Sequence, residues 1–260
     1  MEELGEKAML LRDALAIGRG EMVSLIGAGG KTTTMFRLAK ELRGQGWKVL
    51  VTTTTKIFRP AKPHIDRLFL VEDVQSLIDV CAGMTGPVVI GAGCGVNQDG
   101  KLLGMPVDWL DRLNHDKLFD AILVEADGAA SRLFKVPSDG EPVIPPSCQT
   151  TIWVIAIKVI GKPLTDDWVH RAARARELLG LPAETTVSEE IVLQLLQHEA
   201  ACRKAIPPAS RQLALINQAD SSAEMAAAQS LGDKLLKLHF DKVVITSYAN
   251  AEPVIQGTTH

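Results

Sequence analysis

The stretch IGAGGKTTT, residues 26–34, lies directly after an apolar run, Met22–Ile26, and directly before a helical pattern, Thr32–Leu42. Glycines let the backbone turn tightly enough for consecutive N–H groups to point at one anion, and the helix that follows presents its positive end to the same place. A lysine and a threonine at the start of such a helix are the side chains that bind outer phosphates and Mg²⁺. The stretch therefore predicts a nucleoside triphosphate site.

The loop is a shortened version of the GxxxxGK[ST] pattern, because Leu25 stands five residues before Gly30, where that pattern has glycine. We expect Lys31 to contact the outer phosphates and the hydroxyl of Thr32 to ligate Mg²⁺. An ordinary glycine turn without a ligand is the alternative. The residues predicted here to bind nucleotide are Gly27, Ala28, Gly29, Gly30, Lys31, Thr32 and Thr33.

Short apolar runs with almost no alternation recur along the chain, which is typical of strands covered on both faces. Helical patterns fill most of the gaps, and the pattern Ala223–Leu238 opens with a capping box at Ser221 and Glu224. This order predicts an α/β fold, a mostly parallel sheet with helices on both faces. The predicted strands are Met22–Ile26, Lys48–Thr53, Arg67–Leu70, Val88–Gly91, Ala121–Glu125, Thr151–Ile157, Gln212–Asn217 and Lys242–Thr246.

We expect one domain over residues 1–260, with a small helical insertion at about 160–208. Within the insertion, Asp166–Ala205 is predicted to form two or three helices with no strand between them. Gly93–Gly104 contains Asp-Gly turn chemistry between short apolar pieces and is predicted to form a small hairpin. The polar tail Gln256–His260 is expected to fray.

The composition excludes several classes of function. Among 260 residues, 28 Lys and Arg stand against 31 Asp and Glu, and only 4% are aromatic, so nucleic acid is not an expected partner. The acidic start and the lack of any apolar run near the ~20 residues that a bilayer needs predict a cytoplasmic protein without a membrane partner. The four cysteines form no C-x-x-C pair and are expected to be reduced thiols.

Two acidic residues, Glu125 and Asp127, follow the apolar run Ala121–Val124. A carboxylate at the end of a buried strand is costly unless it meets a cation or hydrogen bonds. In extended chain, residues two apart face the same side and can share one Mg²⁺. We therefore predict that Glu125 and Asp127 hold the metal with Thr32 and act with Lys31 in catalysis, the acid nearer the metal being open. An ordinary Asp-Gly turn is the alternative.

Further polar residues follow the predicted strands. The hydroxyl run Thr52–Lys56 is suited to a terminal phosphate, the metal's water or a second substrate, or is simply a β-branched strand end. Arg132 or Lys135 is a candidate to supply a positive charge in cis to the phosphates or to an anionic substrate. The alternative is that both are solvated charges on the surface. For His170-Arg171, the favoured interpretation is a pair on the surface of an amphipathic helix. The candidates for substrate or second-site contacts are Thr53, Thr54, Lys56, Arg132, Lys135, Glu141, His170 and Arg171.

The segment Asn217-Gln218-Ala219-Asp220 lies at the end of another apolar strand. It resembles the element by which GTPases read guanine, with glutamine in place of lysine. A carboxylate at Asp220 can accept both N–H groups on the edge of the base, while Asn217 steadies the loop. Turn chemistry before a capped helix is the favoured explanation, so adenine or guanine stays open.

Together, Gly27–Thr34, Thr52–Lys56, Val124–Ala129 and Glu141–Pro145 resemble the YqeC family, accessory proteins for maturing selenium-dependent molybdenum hydroxylases. The resemblance spans nearly the whole chain. It implies a P-loop NTPase-like fold and a partner among molybdenum hydroxylases or their maturation proteins.

The sequence thus predicts an NTPase. A purine nucleoside triphosphate, ATP or GTP, is expected to be bound with Mg²⁺ and hydrolysed slowly, mostly by positioning and electrostatics. One alternative is an ATP-dependent ligase that forms an acyl phosphate, because the spacing of Gly27, Gly30 and Lys31 also resembles the loop of the Mur peptide ligases. The chain is too short for the additional domains of those ligases. The other alternative is a nucleotide-gated docking module in which Asp166–Ala205 changes its contacts with a partner enzyme.

Overall fold

The structure is a computed structural model that describes residues 9–238, 240–250 and 254–259. The helices are α1 (Leu11–Ala14), α2 (Lys31–Gly44), α3 (Val74–Ala82), α4 (Val107–His115), α5 (Ala172–Leu179), α6 (Glu189–Gln197) and α7 (Ser222–Leu236). The strands are β1 (Glu21–Gly27), β2 (Lys48–Thr53), β3 (Lys56–Phe58), β4 (Arg67–Leu70), β5 (Val88–Gly93), β6 (Gly95–Val96), β7 (Lys101–Leu103), β8 (Ala121–Glu125), β9 (Phe134–Lys135), β10 (Thr150–Ala156), β11 (Val169–His170), β12 (Arg211–Asn217), β13 (Lys242–Thr246) and β14 (Val254–Thr259).

A nine-stranded sheet organises the molecule, in the order β14-β13-β12-β10-β1-β8-β2-β5-β4. Every neighbouring pair is parallel except β13 and β14, which are antiparallel. The prediction of an α/β fold with a mostly parallel sheet is confirmed, and all eight predicted strands lie in this sheet. Strand β1 is central, so the loop that follows it lies in the middle of the sheet's carboxyl edge.

Two apolar cores cover the two faces of the sheet. In β1, Val23 and Leu25 face the core that contains Met35 and Leu38 of α2. Met22 and Ile26 of the same strand face the core on the other side, which also contains residues of α3 to α7. Apolar side chains on both faces explain why the strands read as continuous apolar runs rather than as alternating ones.

The carboxyl-terminal segment differs from expectation. The tail was expected to fray from Gln256, but β14 pairs with β13, and Gly257 lies opposite Val244. An antiparallel edge strand buries little and is rich here in threonine, so its residues give no strong apolar signal. The last residue of the predicted tail, His260, lies outside the described residues.

The predicted hairpin is present but belongs to a larger unit. Strands β6 and β7 pair antiparallel as predicted, and β3 adds to β7 to make a three-stranded sheet. In the helical insertion, α5 and α6 are present, and the unpredicted strand β11 precedes them and pairs with β9. This pairing brings the start of the insertion next to the chain that follows β8.

All four cysteines are unpaired thiols, in agreement with the prediction. No helix within the described ranges combines the length and the apolarity that a membrane crossing requires.

Candidate functional site

The carboxyl ends of β1, β8 and β2 meet at one edge of the sheet. In the parallel register, Leu25 pairs with Glu125, and Glu125 in turn pairs with Thr53. Ligands of open parallel sheets bind at this edge, outside the strand ends. The topology therefore brings together three stretches that are up to 100 residues apart in the chain. They are the loop after β1, the acids at the end of β8 and the threonines at the end of β2.

The glycine loop, Gly27–Gly30, has a backbone that only glycine accommodates at its tightest points. Gly29 has φ +81°, and a Cβ there would stand 2.3 Å from the Cβ of Ala156. Gly30 has φ +140°, and a Cβ there would stand 2.3 Å from Nδ2 of Asn217. That amide donates to the carbonyl oxygen of Gly29 at 3.0 Å and so supports the loop from β12. The loop is close-packed on its sheet side and open on the other.

Helix α2 begins directly after this loop, with Gly30 as its N-cap residue. No side chain in the described part of the chain caps it. The first N–H groups of a helix have no partner within the helix, and here they face a cleft lined by residues 29–33. This arrangement favours an anion at the start of α2.

Lys31 lies between the two acids. Its Nζ is 3.0 Å from Oδ1 of Asp127 and 3.7 Å from Oε1 of Glu125, and it donates to the carbonyl oxygen of Gly27 at 2.7 Å. The hydroxyl of Thr32 donates to Oε2 of Glu125 at 2.7 Å. The four residues predicted to hold metal and phosphate are thus in contact with one another.

One carboxylate oxygen of Asp127 accepts a hydrogen bond, and the other does not. Its Oδ2 accepts from the backbone N–H of Gly27 at 3.0 Å and lies 3.3 Å from Nζ of Lys135. Its Oδ1 is buried and has no hydrogen-bond partner within the described residues, because the nearby Lys31 is close enough for an ion pair but not aligned for a hydrogen bond. A buried carboxylate oxygen in this condition is a favourable ligand for a cation.

Burial raises the pKa of Glu125, and the neighbouring Lys31 and the hydrogen bond from Thr32 oppose that effect. The carboxyl is only 6% exposed, so its charge depends on a nearby cation. A cation that replaced or joined Lys31 would favour the ionised form.

Glu125, Asp127 and Thr32 offer a small set of oxygen ligands to a divalent cation. No group of three or more His, Cys, Asp or Glu side chains with metal-site geometry occurs in the described residues. Two carboxylates and one hydroxyl are fewer ligands than a calcium or zinc cage uses, but Mg²⁺ keeps several waters and is held by one or two carboxylates plus substrate phosphates. Glu125, Asp127 and Thr32 therefore fit Mg²⁺ that is bound together with a phosphate ligand.

A second cation, Lys135, lies behind Asp127. Its side chain is 1% exposed, and its Nζ contacts the carbonyl oxygen of Gly128 at 2.5 Å and Oε2 of Glu141 at 2.8 Å, besides Asp127. Arg171 donates to the same Oε2 at 2.7 Å and to the carbonyl oxygen of Val136 at 3.1 Å. We call this connected set the charge chain; it comprises Glu125, Lys31, Asp127, Lys135, Glu141 and Arg171.

The charge chain also sets the ionisation of Glu141 and of His170, which precedes Arg171. Burial raises the pKa of Glu141, but the contacts with Lys135 and Arg171 outweigh it and hold the value at about 2. Burial, Arg171 and Lys135 lower the pKa of His170. Glu141 is therefore ionised and His170 is disfavoured as a cation at neutral pH.

A cleft of about 990 Å³ opens beside the glycine loop. The predicted residues that line it include Gly29, Gly30, Lys31, Thr32, Thr33, Thr54, Lys56, Glu125, Arg132, Glu141 and His170. Thr53 is turned inward instead, where its hydroxyl donates to the carbonyl oxygen of Glu125 at 2.7 Å. The hydroxyl of Thr54 donates to the carbonyl oxygen of Val143 at 2.7 Å, so it ties β2 to the chain after β9.

Two of the predicted residues, Asn217 at the end of β12 and Asp220 just after it, bind other side chains of the protein. Asn217 supports the glycine loop, as described above, and accepts from the hydroxyl of Thr246 at 3.1 Å. Asp220 pairs with Lys158 at 2.5 Å and accepts from the hydroxyl of Ser247 at 2.5 Å. Neither Asn217 nor Asp220 is among the described residues that line the cleft.

Sequence similarity identifies the family of the chain. The sequence model of the family described as "YqeC protein" matches residues 23–173. The chain belongs to the YqeC family. The match includes the glycine loop and every member of the charge chain. A relative from Escherichia coli (strain K12), described as "Uncharacterized protein YqeC", is 32% identical over 230 residues, which is 88% of this chain and 88% of the relative.

Some cleft residues were not predicted from the sequence. Phe58 and Lys101 line the cleft and lie on the paired strands β3 and β7. Ala130 and Ser131, with φ of 47° and 57°, shape the loop after Asp127. Their only sequence signal is proximity to the threonine run or to the acids, because the pairing of β3 with β7 joins segments that are far apart in the chain.

Proposed function

We propose that this YqeC family protein binds a purine nucleoside triphosphate together with Mg²⁺ at the carboxyl ends of β1, β8 and β2, and hydrolyses it slowly. One observation carries the proposal. A lysine ammonium lies between two buried carboxylates, beside an uncapped helix N-terminus and a glycine loop, and Lys31, Glu125 and residues 29–33 line one cleft. Each part is suited to a different portion of a metal-bound polyphosphate.

The residues have distinct roles in the proposal. The N–H groups of residues 29–33 bind phosphate oxygens at the start of α2, where the helix dipole favours negative charge. Glu125, Asp127 and Thr32 would hold Mg²⁺. That cation, when bound, supplies charge stabilisation to the leaving and terminal phosphates.

Lys31 changes partners in the proposal. Its ammonium neutralises Glu125 and Asp127, a task that a divalent cation performs more strongly. With the carboxylates neutralised by the metal, the flexible side chain of Lys31 turns toward the phosphate oxygens. Lys135 keeps Asp127 oriented throughout, because it is fixed behind the cleft by two hydrogen bonds, to Gly128 and Glu141, besides its ion pair with Asp127.

The choice of base and the partner protein are separate parts of the proposal. ATP and GTP are the two candidates. The family resemblance supports a partner among selenium-dependent molybdenum hydroxylases or their maturation proteins, for which the protein would act as an accessory.

The test is calorimetry of MgATP and MgGTP binding to the Lys31→Ala variant. We expect the affinity to fall by at least about tenfold, because one or more charge-assisted hydrogen bonds to phosphate are lost. Lys40→Ala is the matched control, since Lys40 lies on the exposed side of the same helix. Unchanged affinity in Lys31→Ala, or no binding of either nucleotide by the wild-type protein, would refute the proposal.

A further inference from the structure

The cleft beside the glycine loop contains a cation that the protein leaves unpaired. Arg132 lines the cleft, and its guanidinium forms no hydrogen bond or ion pair with any residue that the structure describes. The sequence left open whether Arg132 or Lys135 supplies a positive charge to an anion. Lys135 is held by one carbonyl oxygen and two carboxylates, and it is not among the described residues that line the cleft. Of the two, Arg132 is therefore the one whose charge is available to a ligand.

The loop that carries Arg132, residues 128–133, passes beside the glycine loop. It begins just after the acids at the end of β8. At its other end, the carbonyl oxygen of Leu133 accepts from the N–H of Ala156, the last residue of β10, at 3.4 Å. Strand β1 lies between β8 and β10 in the sheet, so this crossing passes the end of β1. The same carbonyl oxygen lies 3.0 Å from the position that a Cβ on Gly29 would take.

The backbone around Arg132 is strained and held in place. Ala130 and Ser131 have φ of 47° and 57°, in the left-handed region that residues with a Cβ rarely adopt. The N–H of Leu133 donates to the carbonyl oxygen of Trp168 at 2.9 Å, which fixes the end of the loop. Strained residues of this kind persist where the surrounding structure determines them, and they cluster at functional sites. A cation on such a loop is already positioned when the ligand binds.

The residues around Lys31 do not supply all the positive charge that a triphosphate needs. Lys31 is one cation between two carboxylates, Glu125 and Asp127. Lys135 is likewise shared by Asp127 and Glu141. A triphosphate carries more negative charge than one divalent cation neutralises. An arginine suits the remaining charge, because its planar guanidinium presents several donors to phosphate oxygens at once.

We propose that Arg132 is a catalytic residue that donates to the terminal phosphate and to the oxygen that bridges it to the rest of the nucleotide. In hydrolysis, water adds to the terminal phosphorus, and the bond from that phosphorus to the bridging oxygen breaks. The nucleoside diphosphate leaves with the electron pair. One proton of the water stays on the released phosphate and the other passes to solvent. Arg132 stabilises the negative charge that develops on the bridging oxygen. This inference rests on the proposed function.

The test is single-turnover hydrolysis of MgATP and MgGTP by Arg132→Ala. We expect the rate constant to fall by about 100-fold or more, because one donor to the transition state is lost. Calorimetry with a non-hydrolysable triphosphate analogue should show nearly unchanged affinity, since the contact strengthens only as the bond breaks. Arg203→Ala is the matched control, because Arg203 is exposed and is not among the residues that line the cleft. It should hydrolyse at the wild-type rate.

Chemical rescue separates a catalytic guanidinium from one that only supports the loop. Guanidinium chloride, at concentrations far below those that unfold proteins, should restore part of the rate of Arg132→Ala and leave Arg203→Ala unchanged. Sodium chloride at the same concentration controls for ionic strength. Arg132→Lys keeps the charge but not the planar fork, so we expect an intermediate rate.

Three results would overturn the role of Arg132. They are a wild-type rate in Arg132→Ala, a loss of analogue affinity that accounts for the whole loss of kcat/KM, and a slow rate that neither guanidinium nor Arg132→Lys raises.

The two proposals fail in different ways. If the wild-type protein binds neither nucleotide, the proposed function is wrong, and the role of Arg132 goes with it. If the wild-type protein binds and hydrolyses nucleotide and Arg132→Ala does so equally well, the role of Arg132 alone is wrong. Binding without hydrolysis by the wild-type protein would refute that role and the hydrolytic part of the proposed function, and would leave nucleotide binding in place.

Discussion

Two buried lysines contact the same carboxylate from different sides. Lys31 approaches Oδ1 of Asp127 and Lys135 approaches Oδ2. Lys31 lines the cleft, whereas Lys135 lies behind it with its other contacts to Gly128 and Glu141. The same charge therefore has two uses: one ammonium lies where a ligand can replace its partners, and the other is fixed by the protein. The difference comes from position in the fold and not from residue type.

The largest effect is expected from removing the fixed lysine. Lys135→Met leaves the buried Asp127 and the half-buried Glu141 without their shared cation, and removing one partner of a buried ion pair typically costs about 3–5 kcal/mol. We expect urea unfolding to show a loss of that size in the free energy of unfolding. Lys31→Met should cost clearly less, because Asp127 keeps Lys135 and because water and Mg²⁺ can reach Glu125 from the cleft. An equal or greater loss in Lys31→Met would show that the two lysines are not different in this way.

A smaller and pH-dependent effect is expected at Glu125. Because burial raises its pKa in the folded protein, Glu125 costs stability when it ionises. Its contribution is fully favourable below the ordinary value of 4.5 and is lost as the pH rises through the folded value. Glu125→Gln keeps an acceptor for Thr32 and removes this loss, so we expect its melting temperature to exceed that of the wild-type protein increasingly as the pH rises.

Glu141, toward the other end of the charge chain, has the opposite effect on how stability depends on pH. Its pKa is held at about 2, so its contribution is present above the ordinary value of 4.5 and is lost as the pH falls toward 2. Melting curves across both ranges therefore separate the two acids. If Glu125→Gln melted below the wild-type protein at every pH, the charge on Glu125 would be stabilising and the assignment of its raised pKa would be wrong.

Features that are set by neighbouring residues could be predicted from the sequence, whereas contacts that depend on the fold could not. The glycine loop, the strand that ends at Glu125 and the start of α2 follow from neighbouring residues, and the structure has them where the pattern indicated. The contact of Arg171 with Glu141 was not predictable, because it requires β9 to pair with β11. The contacts of Lys135 depend on how the irregular chain around β9 folds back on itself. No pattern of single residues distinguishes a buried lysine with three partners from a solvated one.

The smallest effect is expected at Asp220. Its pair with Lys158 is partly exposed, with 38% and 27% of the two side chains accessible, and pairs of this kind contribute roughly 0–1 kcal/mol. We therefore expect Asp220→Asn to leave the free energy of unfolding nearly unchanged. Because Lys158 and Ser247 occupy the carboxylate, we also expect the ratio of MgATP to MgGTP affinity to stay the same in calorimetry. A selective loss of MgGTP affinity would show that Asp220 leaves these partners to read guanine, and would make β12 a binding element rather than a support for the glycine loop.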